Sequence, residues 1–213
     1  MHSKPQKITD VQALDKAQGA LMGLAAGDAI GTTLAYVPRD KAHVDDMVGM
    51  GPFNLKPGEW TDNTSMALCL AETYIESHKC DTTVFRQKLL SWYRNGTNSS
   101  KGLCFNIGNT TRVALEQFER HGPTWMGNTS PDTAGNAALV RLAPTVIFIR
   151  KSFVDGLCDA KQQSNATHLA ADSVSCCRFF ILIFHYLLNG YSKTEPGAAS
   201  HGFIIKCSSD QRR

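Results

Sequence analysis

The sequence predicts a single domain built from α-helices. Apolar residues recur at three- and four-residue intervals in several segments, while the strict alternation of a half-buried strand is scarce. The chain has 213 residues, of which 42% are hydrophobic and 19% charged, and this suffices for one buried core. We expect about six helices within residues 11–190, followed by an irregular tail over residues 191–213.

Composition and charge exclude some classes of function. The net charge is +3 and the basic residues are scattered, which argues against nucleic acid as a partner. The N-terminal stretch "MHSKPQKITD" lacks the apolar centre of a signal peptide, and the odd number of seven cysteines favours reduced thiols. We therefore expect a cytoplasmic protein.

The first predicted helix spans roughly Val11 to Tyr36 and contains an unusual number of glycines. A glycine inside a helix costs about 1 kcal/mol relative to alanine, so a repeated glycine needs a compensating reason. A four-residue spacing places these glycines on one stripe, where another backbone or a ligand can approach closely. Asp28 stands beside the stripe, and two interpretations stay open: a solvent-facing or capping residue, or a structural acid beside a pocket. The glycines are Gly19, Gly23, Gly27 and Gly31.

Helices with clearer apolar periodicity follow. One begins at Thr61 after a loop rich in glycine and proline, one spans Val84–Arg94, and one ends before Gly122. The next apolar segment, residues 137–150, contains Pro144. We expect Pro144 to kink that helix, because proline removes a backbone hydrogen bond from a helix interior.

The last predicted helix, residues 168–188, carries the longest apolar run of the chain. The run "FFILIFHYLL" has ten residues, about half of the roughly 20 that a membrane span needs, so we expect no membrane contact. It is apolar nearly all round, which is typical of a helix buried on several sides. If nothing covers it, an apolar patch remains exposed, and self-association through helix 168–188 is expected.

Three junctions between a loop and a helix share a composition rich in Thr, Asn and Asp. They read "GEWTDNT" (58–64), "CFNIGNTT" (104–111) and "TAGNAALVRLAP" (133–144). Each one alone is explained as a helix N-cap, in which a side-chain oxygen accepts a hydrogen bond from a free N–H. The first also aligns three oxygen-bearing side chains, Thr61, Asp62 and Asn63, as for a hard cation.

In their order and spacing the three junctions, with "GDAIG" upstream, resemble the ADP-ribosylglycohydrolase family, which includes the dinitrogenase reductase-activating glycohydrolases. The family carries a "GDALG" element, a Thr-Asp-Asp-Thr after Gly-x-Trp, a "DIGNTT" element and a "GNGSLMRLAP" element. The resemblance covers roughly residues 16–190. Its matching stretches are residues 27–31, 58–64, 106–111 and 135–144, with Thr167 and His168 ahead of the last helix.

The resemblance implies an orthogonal helical domain that holds two Mg²⁺ or Mn²⁺ ions in a central cleft. Such enzymes hydrolyse the bond between the anomeric carbon of ADP-ribose and a protein side chain or small acceptor, so ADP-ribose or an ADP-ribosylated protein is the implied partner. Metal-bound water is a good nucleophile because the cation lowers its pKa. The implied metal ligands are Thr61, Asp62 and Asn63, and the implied catalytic residues are Asp62 and Asn106. The implied ligand-binding residues are Gly108, Asn109, Thr110, Gly135, Asn136 and His168.

The chain departs from the family pattern where the chemistry is carried. Asn63 and Asn106 replace two acids, Ala35 stands where the family carries a glutamate, and the C-terminal Asp-Thr-Asp-Thr element and its helices are missing. Because Mg²⁺ is held chiefly by carboxylates, we expect at most one weakly bound ion. An amide cannot act as a base, so we expect an impaired hydrolase. The alternatives are an inactive relative that binds ADP-ribose or a protein, or a truncated product without an independent role.

Overall fold

The computed structural model describes residues 8–125 and 127–191. These residues form eight α-helices and four short 3-10 turns and contain no β-strand, only an isolated bridge between Met50 and Leu55, so the all-α class is confirmed. The predicted tail lies outside the described residues apart from Tyr191. The helices are α1 (Asp10–Gly31), α2 (Asp62–Ser77), α3 (Thr82–Asn95), α4 (Asn109–His121), α5 (Ala137–Val140), α6 (Ala143–Phe148), α7 (Phe153–Asn165) and α8 (Ala171–Leu188). The 3-10 turns are Thr32–Leu34, Gly51–Phe53, Gly122–Thr124 and Pro131–Thr133.

The first and last predicted helices end or begin differently in the structure. Helix α1 stops at Gly31 and not at Tyr36, because the hydroxyl of Thr32 donates to the carbonyl of Asp28 and the chain tightens into a 3-10 turn. Helix α8 begins at Ala171 and not at His168. The His168 N–H donates to the carbonyl of Ser164 at 2.7 Å, so this residue belongs to the turn that ends α7.

Pro144 divides the apolar segment into two helices, so the prediction of one kinked helix was wrong. It lies in the first turn of α6, where no N–H is needed and the fixed φ of proline suits the helix. Helix α7 was not predicted at all, because its buried face consists of small or polar residues. These are Gly156, Ala160, Gln163 and Ser164.

Two buried clusters form the core, and helix α2 connects them. One cluster lies between α2, α3 and α4 and is centred on Phe85 and Trp92, while the other lies between α5 and α8 and is centred on Leu142 and Ile181. The hydroxyl of Tyr74 in α2 contacts the Thr145 hydroxyl in α6 at 3.1 Å. The N-terminus of α2 is held beside the C-terminal turn of α1 by hydrogen bonds to Asp28.

An apolar groove of about 750 Å³ runs between α1, the α5–α6 segment and α8. No other part of the described chain approaches the glycine stripe closely, because a Cβ added at any of its four glycines meets nothing within 4 Å. Three of the glycines line the groove instead. Although its composition is typical of a helix buried on several sides, only 28% of the residues of α8 are buried, which agrees with the expected exposed apolar face. One end of the groove is lined by Asp28 and Asn63.

Helix α8 has the length and apolar composition that would allow it to cross a membrane, and no other helix among residues 8–125 and 127–191 does. The ten-residue apolar run is only part of α8, which has 18 residues. Core helices of globular proteins share this property, so it is weak evidence for a membrane span. All six cysteines in the described part of the chain are free, and three of them are buried.

Candidate functional site

Asp28 is the centre of the hydrogen-bond network that joins α1 to the start of α2. Its Oδ2 accepts from the backbone N–H groups of Thr61 at 3.0 Å and Thr64 at 3.1 Å and from the Thr64 hydroxyl at 2.8 Å. Its Oδ1 accepts from the Thr61 hydroxyl at 2.6 Å and from the Asn63 amide at 3.1 Å. The two interpretations left open both hold in part, because Asp28 caps the start of α2 and also lies beside a pocket.

The interpretation of the junctions as side-chain N-caps was wrong for all three. Thr61, Gly108 and Asn136 occupy the N-cap positions of α2, α4 and α5, and none of them makes a side-chain capping hydrogen bond. At α2, the capping acceptor is the carboxylate of Asp28, which belongs to a different helix, α1. A carboxylate suits that position because the positive end of the helix dipole and the free N–H groups both face it.

Asp62 and Asn106, the two implied catalytic residues, are brought together. Asp62 is the first residue of α2, only 8% exposed, and its Oδ1 accepts from the Asn106 amide at 2.7 Å. Asn106 adopts a φ of 57°, a left-handed conformation that asparagine tolerates better than most residues. Burial raises the pKa of Asp62 to about 6, and the negative charge of nearby Asp28 adds to the rise. The hydrogen bonds from Thr61 and Asn106 oppose it.

The donor set does not fit a centre with two divalent metal ions. Both oxygens of Asp28 are occupied by five hydrogen bonds, and Oδ1 of Asp62 already accepts the Asn106 amide. No group of three or more His, Cys, Asp or Glu side chains that could hold a metal occurs among the described residues. Mg²⁺ and Mn²⁺ bind chiefly through free carboxylate oxygens, and the amide N–H groups of Asn63 and Asn106 point at those oxygens instead.

The remaining implied ligand-binding residues lie on the second and third junctions, which are in contact. The Thr110 hydroxyl donates to the carbonyl of Thr133 at 3.3 Å, and Gly108 and Asn109 are exposed beside it. Exposed Gly135 is held by the hydroxyl of Ser173. This hydroxyl accepts from the Gly135 N–H at 3.2 Å and donates to the Gly135 carbonyl at 3.0 Å. The neighbouring Asn136 is exposed as well.

His168 is buried, with 2% of its surface exposed, so it is poorly placed to touch a ligand directly. Its Nδ1 contacts the Thr167 hydroxyl at 2.8 Å, and burial, with a smaller effect from Arg141, lowers its pKa to about 4. The other side of the ring supports a loop, since a Cβ added at Gly135 would lie 2.8 Å from His168 Nε2. The structure therefore places His168 beneath the third junction.

Arg141 is a buried residue whose role the sequence reasoning missed. It has no exposed surface, and its guanidinium donates to Gln163 Oε1 at 3.0 Å, to the Gln163 carbonyl at 2.8 Å and to the Thr167 hydroxyl at 2.9 Å. Burial lowers its pKa to about 10. The available signal was an arginine inside an apolar run, "AALVRLAP", because a charge in such a run needs buried partners.

Comparison with known proteins identifies a family over most of the chain. Residues 9–204 match the family model described as ADP-ribosylglycohydrolase. The ADP-ribosylarginine hydrolases Tri1 of Serratia proteamaculans and of Pseudomonas putida are 60% and 52% identical to it, each over 92% of this chain and 53% of the relative. The ADP-ribosyl-[dinitrogen reductase] glycohydrolase of Rhodospirillum rubrum is 27% identical over 86% of this chain and 61% of the relative.

A solved structure supports the same assignment. It is described as an ADP-ribosylglycohydrolase-related protein complex and matches with a TM-score of 0.75 and 33% identity, over 86% of this chain and 60% of that chain. The chain thus spans about half the length of the Tri1 relatives. The fold, the ordered junctions and the family match agree, and the chain belongs to the ADP-ribosylglycohydrolase family.

Proposed function

We propose that this chain binds ADP-ribose carried on arginine side chains of proteins and hydrolyses that bond at an impaired rate. Two relatives named ADP-ribosylarginine hydrolase, 60% and 52% identical, support the linkage to arginine. The observation behind the proposed impairment is the 2.7 Å contact in which the Asn106 amide donates to Asp62. The resemblance to the family implies an acid at position 106.

The chemistry of the bond explains why this contact matters. Hydrolysis adds water to the anomeric carbon while the guanidine leaves with a proton, and positive charge develops on the ribose ring in between. The carboxylate of Asp62 can stabilise that charge from the start of α2. Asn106 cannot take a proton from water, because an amide is not a base near neutral pH. Loss of one member of a catalytic unit removes most of the rate enhancement.

The test is to measure binding and turnover separately. We expect ADP-ribose to bind in calorimetry, with release of ADP-ribose from an ADP-ribosylated arginine peptide at least about 100-fold slower than by the Serratia hydrolase. Asp62→Asn should abolish the residual release, and Asp155→Asn on α7 is the matched control. Turnover equal to that of the Serratia enzyme would contradict the proposal.

A second candidate function is an inactive relative that binds ADP-ribose or a partner protein. The two amides, Asn63 and Asn106, favour it because both face carboxylates that an active centre would leave free. Binding of ADP-ribose with no release above that of Asp62→Asn would select this candidate. The alternative of a truncated product predicts neither binding nor release.

Members of the family generally use divalent metal ions. For this chain, we propose at most one Mg²⁺ or Mn²⁺ near Thr61, Asp62 and Asn63, held too weakly for the folding of the site to depend on it. A cytoplasmic location stays a prediction.

Self-association is also proposed, through the incompletely covered face of α8. The groove beside this helix is apolar, and large apolar surfaces on globular proteins commonly mark contact sites. Light scattering on the purified chain tests the proposal: a dimer or larger species is expected, and a monodisperse monomer would contradict it. Phe184→Glu, on the groove wall, should shift the population toward the monomer.

A further inference from the structure

The amides of Asn63 and Asn106 do more than remove negative charge. We propose that they replace the metal ions as the counter-groups of Asp28 and Asp62, so that the start of α2 is built without any divalent cation. This inference concerns the folding of the site and stands whether or not the chain hydrolyses ADP-ribose.

The first pair is Asp28 with Asn63. The other four donors to Asp28 are backbone N–H groups and hydroxyls of Thr61 and Thr64, and the Asn63 amide completes the set at 3.1 Å from Oδ1. A carboxylate has about four lone-pair sites, so these donors saturate Asp28. An aspartate at position 63 would place a second carboxylate where the amide donates, and at neutral pH a bound cation could satisfy both, with a shared proton as the alternative.

The second pair is Asp62 with Asn106, and it repeats the arrangement on the other side of the junction. The Asn106 amide lies 2.7 Å from Asp62 Oδ1, although the two residues are 44 positions apart in the sequence. Asp62 is buried, and a buried carboxylate needs hydrogen bonds or a positive charge. An aspartate at position 106 would remove the donor and add a like charge at the same distance.

Both substitutions therefore act together. In each pair a neutral donor stands against a carboxylate at a position where the family pattern has an acid. Two ionised carboxylates at such a distance repel each other unless a cation lies between them or one of them takes up a proton. The two asparagines remove the repulsion and supply a hydrogen bond, which makes the junction self-sufficient.

Thermal unfolding of the full chain, measured in EDTA and in millimolar MnCl₂ or MgCl₂, tests the proposal. The unchanged chain should unfold at the same temperature in all three. Asn63→Asp and Asn106→Asp should each unfold at a lower temperature in EDTA, and MnCl₂ should raise that temperature by about 5 °C or more. Asn63→Ser, which removes the amide without adding charge, should unfold lower than the unchanged chain and show no response to metal.

Asn98→Asp is the matched control. Asn98 also has a left-handed φ, of 64°, and lies in the loop before α4, but its amide donates to the Cys69 sulfur at 3.6 Å and not to a carboxylate. It should show no response to metal. If Asn63→Asp is isolated only as unfolded protein, refolding in MnCl₂ supports the proposal and failure to refold in MnCl₂ overturns it. A rise of several degrees for the unchanged chain, or folded aspartate variants that ignore metal, would also overturn it.

Discussion

Two groups of buried polar side chains, distinct from the apolar core clusters, each contain charge without an ion pair. They differ in what surrounds the charge. The cluster at the start of α2 contains two carboxylates, Asp28 and Asp62, held by amide, hydroxyl and backbone donors. The cluster between α5 and α7 contains one cation, Arg141, held by oxygens of Gln163 and Thr167. Among the described residues, no ion pair involves any of these three charges.

The difference lies in access. Asp28 lines the apolar groove, whereas Arg141 has no exposed surface and stacks over the ring of Phe85 at 4.9 Å. A charge that borders open space can meet a ligand, while a fully enclosed charge can act only on its protein neighbours. The carboxylate cluster is therefore the candidate site. The arginine cluster lies behind the exposed start of the third junction, where His168 lies against Gly135.

The largest effect is expected for Asp28→Asn, which breaks the carboxylate cluster at its centre. The new amide directs N–H groups at several of the five donors that now reach Asp28, so buried donors lose their acceptor. We expect the free energy of unfolding to fall by about 3 kcal/mol in urea titration. Asp15→Asn, on the exposed side of the same helix, is the control and should change it by less than about 0.5 kcal/mol.

Arg141→Lys breaks the arginine cluster while keeping its charge. A lysine ammonium is a point donor and cannot reproduce the planar fork that reaches Gln163 at two atoms and Thr167. We expect a loss of about 2 kcal/mol in the free energy of unfolding. Arg112→Lys, a half-exposed residue on α4, is the control. If the Arg141 variant is as stable as the control variant, the hydrogen bonds of Arg141 do not stabilise the fold.

Most of the fold followed from the sequence pattern, and one helix shows why the rest did not. Residues 84–94 were predicted as helical and lie within Thr82–Asn95, because large apolar residues mark the buried face of α3. The fully buried residues of α7 are glycine, alanine and polar residues, and only Phe153 and Leu157 add large apolar groups to its inner face, so its apolar period is weak. Its Gly156 packs so closely that an added Cβ would lie 2.5 Å from Ile149.

The candidate site was also predicted only in part. The motif drew attention to Asp62, Asn63 and Asn106, and the structure brings them to one junction. The central role of Asp28 did not follow, because its partners lie 33 to 36 positions away and no local spacing encodes them. Arg141 was hidden for the same reason, since its acceptors are neutral oxygens that carry no charge signal.

Gly135→Ala tests the contact between the exposed start of the third junction and buried His168. The neighbouring Thr167 accepts a hydrogen bond from Arg141. A Cβ at position 135 would lie 2.8 Å from His168 Nε2, and the buried ring has little room to move. We expect a loss of about 1–2 kcal/mol in the free energy of unfolding and weaker ADP-ribose binding. Gly108→Ala is the control for stability, because a Cβ there meets nothing within 4 Å and its φ is −67°. Equal stability of the two variants would contradict the contact.

A small effect of pH is expected to distinguish the two clusters, because His168 beside Arg141 and Asp62 at the start of α2 titrate with opposite effects on stability. The pKa of His168 is lowered to about 4 in the folded chain, so between roughly pH 6.5 and 4 the unfolded chain binds more protons at this residue. Its contribution to stability must therefore fall as the pH drops through that window. Asp62 acts in the opposite direction, because a pKa raised to about 6 lets the folded chain bind the proton first.

Comparison of the unchanged chain with His168→Gln removes the common contribution of Asp62 and leaves that of the histidine. The unchanged chain should lose about 1–2 kcal/mol more than the variant between pH 7 and pH 5, measured by urea titration at each pH. Because the glutamine does not titrate, the difference between the two proteins reports the protonation of His168 alone. Parallel stability curves would mean that the ring is protonated without cost, so that neither its burial nor the nearby Arg141 disfavours its charge.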